Sequence, residues 1–392
     1  ALPVGQSPRW ADAADLDGDG DIDLLVGDGQ TLHDLRRGAD GWTDVTASRG
    51  LGGLLGLTWA RVLDVDNDGN PDLVRAGGAG IHVHRGVAGA WDPPKRVHAG
   101  GVASFTPVDF DHEGDIDLVA VGAAGPVLLQ NQGERTFSDV TAGSGLEAVG
   151  PATGAAAGDI DDDSDVDLVF VTRKGEVVVA SSLRGGRFQL VRVDAAPAGT
   201  FDAALGDLNG DGHLDLAFAA PAGISVAKNE GALRFAPVSA EPVLPARIQW
   251  PSAGGSSLWI ADLDNDGRLD LLGAEERGAA LGINVGDFAF SAAPGPVRPL
   301  LDAGVRPVAV LLVDGDGRLD AVCSSGAHGI ARNTGRTGRS LVLRPVGVEN
   351  NRDGVGLTVE LLAGARYLRA DGIGRPIHLG LGDEGRVDAL RV

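Results

Sequence analysis

Residues 15–23 read Asp15-Leu16-Asp17-Gly18-Asp19-Gly20-Asp21-Ile22-Asp23. Carboxylates stand at positions 1, 3, 5 and 9 of this nine-residue stretch, and the glycine at position 6 permits a sharp bend. Side chains on alternate residues of a tight loop converge on one point, and the backbone carbonyl of position 7 can add another oxygen. Six or seven oxygen ligands suit Ca²⁺ better than the smaller, strictly octahedral Mg²⁺. The stretch therefore predicts a calcium-binding loop.

The same pattern recurs along the chain at intervals of 45–55 residues, giving seven loops that we number 1 to 7. In loop 7, Leu312 replaces the first carboxylate, so we expect six calcium ions and a weak or empty seventh site. In loop 4, Ser164 replaces the glycine at position 6, and we expect that site to survive with a strained or altered bend. The candidate ligands at positions 1, 3, 5, 7 and 9 are Asp15, Asp17, Asp19, Asp21 and Asp23; Asp64, Asp66, Asp68, Asn70 and Asp72; Asp109, Asp111, Glu113, Asp115 and Asp117; Asp159, Asp161, Asp163, Asp165 and Asp167; Asp207, Asn209, Asp211, His213 and Asp215; Asp262, Asp264, Asp266, Arg268 and Asp270; and Asp314, Asp316 and Asp320.

Two other kinds of calcium loop share the opening of this pattern. EF-hand and dockerin-type loops both require an acidic residue at position 12. No acidic residue stands there in loops 1 to 6, where position 12 is Val26, Arg75, Ala120, Phe170, Phe218 and Gly273. The flanking residues resemble β-strands instead, so each loop is predicted to connect the two strands of a hairpin.

The repeat period indicates the architecture. A period near fifty residues with several short strands in each unit is typical of a propeller blade, and Gly 61 and Pro 20 among 392 residues favour many turns. We therefore predict an all-β fold with a seven-bladed β-propeller over residues 1–336, calcium-binding hairpin loops, and a small β-rich domain over residues 337–392. We expect either residues 1–9 or the segment Ser340–Arg344 to close the ring.

A periodic aromatic residue near the last strand of the first six repeats is predicted to pack between neighbouring blades rather than to stack on a ligand, because a residue in phase with a repeat usually belongs to the core. These aromatic residues are Trp42, Trp91, Phe137, Phe188, Phe235 and Phe290.

The net charge of −22 is mostly a property of the loops, which hold more than half of the 55 acidic residues. The rest of the chain is slightly basic. This distribution argues against a nucleic-acid mimic or an acidic tail, and we expect no nucleic-acid partner. No apolar stretch is long enough to span a membrane.

Strings of weak calcium loops are useful where calcium is abundant, which favours an extracellular or periplasmic location. The chain begins at Ala1 without a Met, as expected of a processed or a trimmed N-terminus. The single Cys323 excludes an internal disulfide and is expected to be a small buried residue.

Phrases downstream of the loops carry a resemblance to a known family. Trp42-Thr-Asp-Val-Thr46 and Phe137-Ser-Asp-Val-Thr141, together with the loops, resemble the FG-GAP (VCBS) repeats of integrin α-subunit propellers and their bacterial relatives. Residues 351–356, 378–382 and 387–388 resemble the ASPIC/UnbV domain. The two occur together in cartilage acidic protein and in many bacterial exported proteins, and the resemblance implies an exported binding protein.

The chain departs from these families in two places. The Trp-Pro-x-Gly phrase of the ASPIC/UnbV family does not follow by Val392, so we expect that domain to be truncated. Pro- and Gly-rich insertions are expected to replace the Asn-x-Gly phrase of residues 131–133 in the fifth and sixth repeats. The irregular insert 240–256, which contains Trp250, is a candidate binding segment.

The sequence contains no recognisable catalytic motif: it lacks a Gly-x-Ser-x-Gly elbow, a His-Glu-x-x-His zinc motif, a phosphate loop and a Cys-x-x-Cys pair. We therefore assign no catalytic residue. The favoured hypothesis is an exported, non-enzymatic recognition, adhesion or accessory scaffold protein for a protein or glycan partner, possibly as a subunit of an exported complex. The alternative is an extracellular polysaccharide lyase or hydrolase with its site in the propeller funnel.

Removal of calcium should lower the melting temperature by tens of degrees. A site whose dissociation constant lies a hundredfold below the calcium concentration stabilises the fold by about 2.7 kcal/mol, and several sites act together. Asp68→Ala or Asp266→Ala should lower the melting temperature by less than a chelator does. Thermal denaturation with calcium and with excess chelator measures both effects. Unchanged melting, with metal analysis showing empty loops, would contradict a structural role for calcium.

Overall fold

The computed structural model describes residues 2–87, 89–245, 257–275, 278–292, 306–324, 329–335, 338–348 and 350–392. This part of the chain is built from β-strands and contains no α-helix, only one 3₁₀ turn at Leu146–Ala148. The predicted all-β fold is confirmed. The insert 240–256 lies largely outside the described residues, because only its first six residues belong to them.

The strands up to residue 331 form seven antiparallel sheets, which we number in chain order. Sheet 1 contains β1 (Trp10–Ala14), β2 (Asp23–Gly27), β3 (Leu32–Gly38) and β4 (Gly41–Asp44). Sheet 2 and its inserted hairpin contain β5 (Leu57–Leu63), β6 (Asp72–Gly77), β7 (Gly80–His84), β8 (Gly86–Val87), β9 (Ala90–Trp91) and β10 (Lys95–His98). Sheet 3 contains β11 (Ser104–Val108), β12 (Asp117–Val121), β13 (Val127–Asn131) and β14 (Phe137–Asp139). Sheet 4 contains β15 (Ala152–Gly158), β16 (Asp167–Thr172), β17 (Val177–Ser182) and β18 (Phe188–Arg192).

The remaining strands follow the same order. Sheet 5 contains β19 (Asp202–Gly206), β20 (Asp215–Ala220), β21 (Gly223–Asn229), β22 (Phe235–Pro237) and β23 (Leu244–Pro245). Sheet 6 contains β24 (Leu258–Ala261), β25 (Asp270–Glu275), β26 (Gly278–Asn284) and β27 (Phe290–Ala292). Sheet 7 contains β28 (Pro307–Leu311), β29 (Asp320–Cys323) and β30 (Gly329–Ala331). The C-terminal strands are β31 (Arg339–Leu343), β32 (Thr358–Ala363), β33 (Arg366–Asp371), β34 (Ile377–Gly382) and β35 (Ala389–Arg391).

The first three strands of each sheet pair in chain order, so each sheet starts as a meander whose first hairpin carries the loop. In sheet 5, β23 pairs with β21, and β8 and β9 form a small sheet of their own beside sheet 2. The second strand of each sheet is buried on both faces, which explains its nearly continuous apolar sequence. In β12, Leu118 packs in a cluster shared with sheet 2, whereas Val119 packs in a cluster shared with sheet 4. Alternate residues of one strand thus serve two neighbouring sheets.

The sheets form a closed ring. An apolar cluster lies between each pair of consecutive sheets, and a further cluster joins sheet 7 to sheet 1. The buried Leu2 belongs to this last cluster, although residues 2–9 form no strand. The predicted packing role of the aromatic series is confirmed, because all six members contribute to clusters between sheets: Trp42, Trp91, Phe137, Phe188, Phe235 and Phe290.

A buried asparagine links neighbouring sheets. The Nδ2 group of Asn131 donates to the Val65 carbonyl in loop 2 (2.8 Å) and to the Ile116 carbonyl in loop 3 (3.1 Å). Its Oδ1 accepts from the backbone of Gly133 (3.0 Å). Three further asparagines donate to the preceding sheet in the same way: Asn229 to Ile160, Asn284 to Leu208 and Asn333 to Leu263. The expectation that repeats five and six lose the Asn-x-Gly phrase is therefore wrong.

The C-terminal strands make sheets of their own. β31 pairs with β34, and β32 lies between β33 and β35 around a separate apolar cluster. Because the segment Ser340–Arg344 belongs mostly to β31, it does not complete sheet 7, and this expectation is wrong. The boundary that we predicted between residues 336 and 337 lies outside the described residues, and the division into two domains stays a prediction.

Asn131→Ala should destabilise the ring by roughly 2–4 kcal/mol, because it removes a buried amide that satisfies two carbonyls and one N–H. The melting temperature in saturating calcium measures this loss. Ser138→Ala, an exposed change on β14, is the matched control and should shift the free energy of unfolding by no more than about 0.5 kcal/mol. Equal melting temperatures for the two variants would show that the asparagine does not hold the sheets together.

Candidate metal sites

All seven loops lie on one face of the ring, because each connects the first and second strands at the same end of its sheet. We call this the loop face. The aspartate at position 9 is in every case the first residue of the second strand, and it is almost fully buried. The loop is thus attached to the core of the sheet through its last ligand.

Two backbone N–H groups hold the position-9 carboxylate. In loop 2, Asp72 Oδ2 accepts from Val65 at position 2 (3.2 Å), and Oδ1 accepts from Gly86 after the third strand (2.9 Å). The same two donors recur as Leu16 and Arg37 on Asp23, Phe110 and Asn131 on Asp117, Ile160 and Ser182 on Asp167, Leu208 and Asn229 on Asp215, and Leu263 and Asn284 on Asp270.

The position-1 carboxylate closes the loop around itself. Asp64 accepts from the backbone N–H groups of Asp68 (3.1 Å) and Gly69 (2.8 Å). Its counterparts in loops 1, 3, 4, 5 and 6 likewise accept from backbone N–H groups at positions 4 to 6 of their loops. This geometry needs a left-handed residue at position 6. Ser164 adopts it with φ 70°, as glycine does elsewhere. The bend of loop 4 is therefore unaltered, and the serine bears a strain of about 1–2 kcal/mol.

Carboxylates converge in five of the loops. Three side chains in each place one oxygen within 4.8 Å of the others. The groups are Asp15, Asp17 and Asp19; Asp64, Asp66 and Asp72; Asp109, Asp111 and Asp117; Asp159, Asp161 and Asp167; and Asp262, Asp264 and Asp270. Among the residues that the structure describes, loops 5 and 7 form no such group. Loop 5 has Asn209 at position 3, and loop 7 has Leu312 at position 1.

These groups could hold a metal ion, which would satisfy several oxygens that have no other partner. Asp66 Oδ1, Asp109 Oδ1 and Asp161 Oδ1 are buried and have no hydrogen-bond partner. A buried carboxylate oxygen without a donor is costly, and a cation in the centre of the group satisfies it. Donor sets made only of oxygen fit Ca²⁺ rather than softer metals. The number and identity of the ions stay predictions.

The position-7 side chains do not converge with the other ligands. Asp115 accepts from Asn67 of loop 2 (2.8 Å), and Asp165 lies 3.0 Å from His112 of loop 3. His213 turns to Asp162 of loop 4. In loop 6, Arg268 forms an ion pair with Asp266. These four candidates could serve their own loops only through the backbone carbonyl, as the sequence pattern proposes for position 7.

The ionisation of the groups reflects their burial. Burial, and then the neighbouring carboxylates of the same loop, raise the pKa of the position-9 acids. The values are about 8 for Asp72, Asp117 and Asp270 and about 7 for Asp167, Asp215 and Asp320. At position 1, burial and then the carboxylates of Asp353, Asp68 and Asp66 raise the pKa of Asp64 to about 6. Burial and then the neighbouring acids of loop 6 raise the pKa of Asp262 to about 7.

The C-terminal segment lies over the loop face, which the sequence did not reveal. Asp353 accepts from the backbone N–H of Asp64 in loop 2 (2.7 Å), and Asn350 donates to the Glu113 carbonyl in loop 3 (2.7 Å). Further hydrogen bonds reach the backbone of loops 4 to 7: Arg369 to Asp159 and Gly212, Gly382 to Asn265, and Ser340 to Gly317. Residues 340–382 therefore contact six of the seven loops, and we call them the covering segment.

A buried ion network attaches the covering segment to the inner strands. Asp12 on β1 pairs with Arg61 on β5 (3.1 Å) and with Arg375 of the covering segment (2.7 Å). Arg61 also donates to the Ile373 carbonyl (2.8 Å). Burial alone would raise the pKa of Asp12, but Arg375 and Arg61 lower it below its usual value. Removing one partner would leave an uncompensated buried charge, which makes such a network costly to break.

The covering segment also reaches the centre of the ring. A cavity of about 310 Å³ lies there, between inner-strand residues such as Ile260 and Val310 and covering-segment residues such as Asp371 and Ile373. No observation within the described ranges favours the polysaccharide-cleaving alternative over a binding role.

Comparison with known families concerns the middle of the chain. Residues 109–170, 159–218 and 207–273 match the model of the FG-GAP-like repeat. Each match starts at position 1 of one loop and ends at position 12 of the next, so the family unit runs from loop to loop. Together with the ring of sheets, the FG-GAP-like repeats support the FG-GAP propeller family. The likeness to ASPIC/UnbV stays a prediction, and no curated protein matches the sequence.

Solved structures share the ring fold. A lectin of Agrocybe aegerita that recognises non-reducing terminal N-acetylglucosamine has a TM-score of 0.53 at 22% identity, over 73% of this chain and 79% of that chain. BBS1N in its complex with ARL6DN has a TM-score of 0.51 at 14% identity, over 86% and 95%. The rhamnogalacturonan lyase YesX has a TM-score of only 0.38 at 14% identity, over 82% and 65%. At these identities the first two show the fold alone. Within the described residues, no helix is long and apolar enough to cross a membrane.

The stabilisation by calcium should increase as the pH rises from 6 to 8. Without metal, the raised pKa values mean that the folded protein binds protons more tightly than the unfolded chain. Its stability therefore falls as the pH rises through this range. With calcium bound, the same carboxylates are ionised and neutralised, so stability stays level. The melting temperature with calcium minus that with chelator should be larger at pH 8 than at pH 6, and a smaller difference at pH 8 would contradict the assignment.

Proposed function

We propose that this chain is an exported, calcium-binding β-propeller that recognises a protein or glycan partner and catalyses no reaction itself. The observation that supports it most is the arrangement of carboxylates on the loop face. Its converging carboxylates include buried oxygens without hydrogen-bond partners, as in Asp66 and Asp109, and the covering segment closes over them. These acids are placed to bind cations and to hold the fold.

Calcium has a structural role in this proposal. The carboxylates of one loop repel each other at short range when no cation lies among them. A bound ion removes this repulsion and fixes the hairpin that carries the loop. Weak sites of this kind are filled where calcium is about millimolar, which is the reason for placing the protein outside the cytoplasm.

The partner then binds at the opposite face of the ring, where the second and third strands of each sheet are joined. On this face, a cavity of about 480 Å³ lies beside sheet 1 and its connection to sheet 2. Its lining includes two hydroxyl groups, an imidazole and a carboxylate, from Thr31, Ser48, His33 and Asp44.

The polar groups of this cavity are oriented by one another. His33 Nδ1 lies 2.8 Å from Asp44 Oδ2, and His33 Nε2 lies 3.1 Å from the hydroxyl of Thr31. The Thr31 hydroxyl also donates to Asp28 (3.0 Å). A fixed row of donors and acceptors at the wall of an open cavity suits a ligand rich in hydroxyl groups. We therefore favour a glycan over a protein as the partner.

A glycan array probed in millimolar calcium tests this function. Ser48→Trp fills the mouth of the cavity from an exposed position and should lower glycan binding at least tenfold, as expected when a ligand is sterically excluded from its pocket. Ser138→Trp, also exposed but on β14, is the matched control and should bind like the unmodified protein. Equal loss in both variants would contradict a site in this cavity.

Two further results would overturn the proposal more broadly. Binding to no glycan, together with a co-purifying protein that Ser48→Trp releases, would assign the cavity to a protein partner. Turnover of acidic or neutral polysaccharides by the unmodified protein would overturn the non-catalytic role and establish the enzymatic alternative.

A further inference from the structure

One side chain of the third strand points at the loop of its own sheet. It immediately precedes the residue whose N–H binds the position-9 carboxylate, and we call it the gate residue of that loop. Its chemical type differs from sheet to sheet, although the backbone position is the same. In the order of loops 1 to 7, the gate residues are Arg36, Arg85, Gln130, Ser181, Lys228, Ile283 and Arg332.

Four gate residues are cations, and each lies against the ligand carboxylates. In loop 2, the guanidinium of Arg85 lies 3.1 Å from Asp66 and 2.6 Å from Asp68. The other three make the corresponding contacts: Arg36 with Asp23 at 2.5 Å and Asp17 at 3.9 Å, Lys228 with Asp211 at 3.0 Å, and Arg332 with Asp314 at 3.7 Å.

The other three gate residues are neutral. Gln130 donates to Asp111 in loop 3 (2.7 Å), and Ser181 donates to Asp161 in loop 4 (3.1 Å). Both position their carboxylates without changing the charge of the loop. The Ile283 side chain has only aliphatic atoms, so it offers the carboxylates of loop 6 neither a hydrogen bond nor a positive charge.

Calcium affinity in oxygen sites depends on the number of ligand charges and on the rigidity of the site. A cationic gate residue removes one negative charge from the loop, and it must leave its carboxylates or stay beside the dication when calcium binds. Either process weakens binding, because opposed charges at about 4 Å interact strongly near a protein surface. A neutral gate residue imposes neither cost.

We propose that the gate residue sets the calcium affinity of each loop. Loops 3 and 4 are the tight sites. Loops 1, 2 and 5 bind at least tenfold more weakly, and loop 6 joins them because Arg268 within the loop pairs with Asp266 although its gate residue is neutral. Loop 7 is the weakest because it also lacks the first carboxylate. The six ions expected from the sequence then divide into two classes. This inference rests on the proposed calcium binding and adds to it the reason why similar loops differ.

Loop 1 shows the effect of a cationic gate residue most directly. Arg36 occupies one oxygen of Asp23, and the converging group of this loop is Asp15, Asp17 and Asp19, without the position-9 acid. In loops 2, 3 and 4 the position-9 acid belongs to the group. Asp66 Oδ1, Asp109 Oδ1 and Asp161 Oδ1 are buried and unpartnered there. Loop 2 therefore differs from loops 3 and 4 in the charge of its gate residue rather than in the placement of its ligands.

Reciprocal exchange of two gate residues tests the proposal. Equilibrium dialysis at stepped free calcium, followed by metal analysis, counts the tight sites. The unmodified protein should retain two ions at a free calcium concentration tenfold below that needed to fill the weaker sites. Arg85→Gln should retain three, and Gln130→Arg should retain one. Arg96→Gln removes the same charge from an exposed position on β10 and should retain two.

The outcomes separate this inference from the proposed function. Six sites of equal affinity, or an equal number of retained ions in Arg85→Gln and Arg96→Gln, would contradict the proposed role of the gate residues and leave the proposal of calcium binding intact. No retained calcium at any concentration would overturn both. If Gln130→Arg fails to fold, as judged by its melting temperature, the count for Arg85→Gln decides.

Discussion

The hydrogen bonds of one buried carboxylate join the parts of each of the first six sheets. The position-9 aspartate accepts from the loop with one oxygen and from a residue in or just after the third strand with the other, as Asp72 does from Val65 and Gly86. A buried carboxylate must be paired or hydrogen-bonded, so three segments of chain have to meet wherever this residue is placed. The carboxylate that is a candidate metal ligand is therefore also the group that joins the loop to the third strand. This dual use explains why the loop recurs with so little change in spacing.

Much of this architecture could be predicted because its signals are local and repeated. The spacing of acids identified the loops, and the apolar pattern after each loop identified a strand that is buried on both faces. The covering segment could not be predicted, because its contacts join residues that are far apart in sequence, such as Asp353 and Asp64. The gate residues carry a signal, since several precede an Asn-x-Gly turn, but only the folded hairpin shows that Arg85 or Lys228 meets the loop.

The repeats are alike in backbone and different in electrostatics. Ser164 takes the left-handed conformation of the glycines that it replaces, so even the most divergent bend keeps its shape. The charge beside the ligand carboxylates varies much more, from the guanidinium next to Asp66 in loop 2 to the neutral amide of Gln130 next to Asp111 in loop 3. A conserved frame with variable charges allows the response of each loop to cations to change without altering the fold.

The joint between sheet 7 and sheet 1 has mechanical consequences. Within the described part of the chain, no strand from one terminus completes the sheet at the other, so this seam is held by side chains: the apolar cluster around Leu2 and a hydrogen bond from Arg37 to the Val313 carbonyl. The covering segment spans the seam, because Ser340 and His378 hold loop 7 while Arg375 holds Asp12 on the first strand. A force that separates sheet 7 from sheet 1 therefore acts on these hydrogen bonds and on the Arg375–Asp12 ion pair as well as on the apolar cluster.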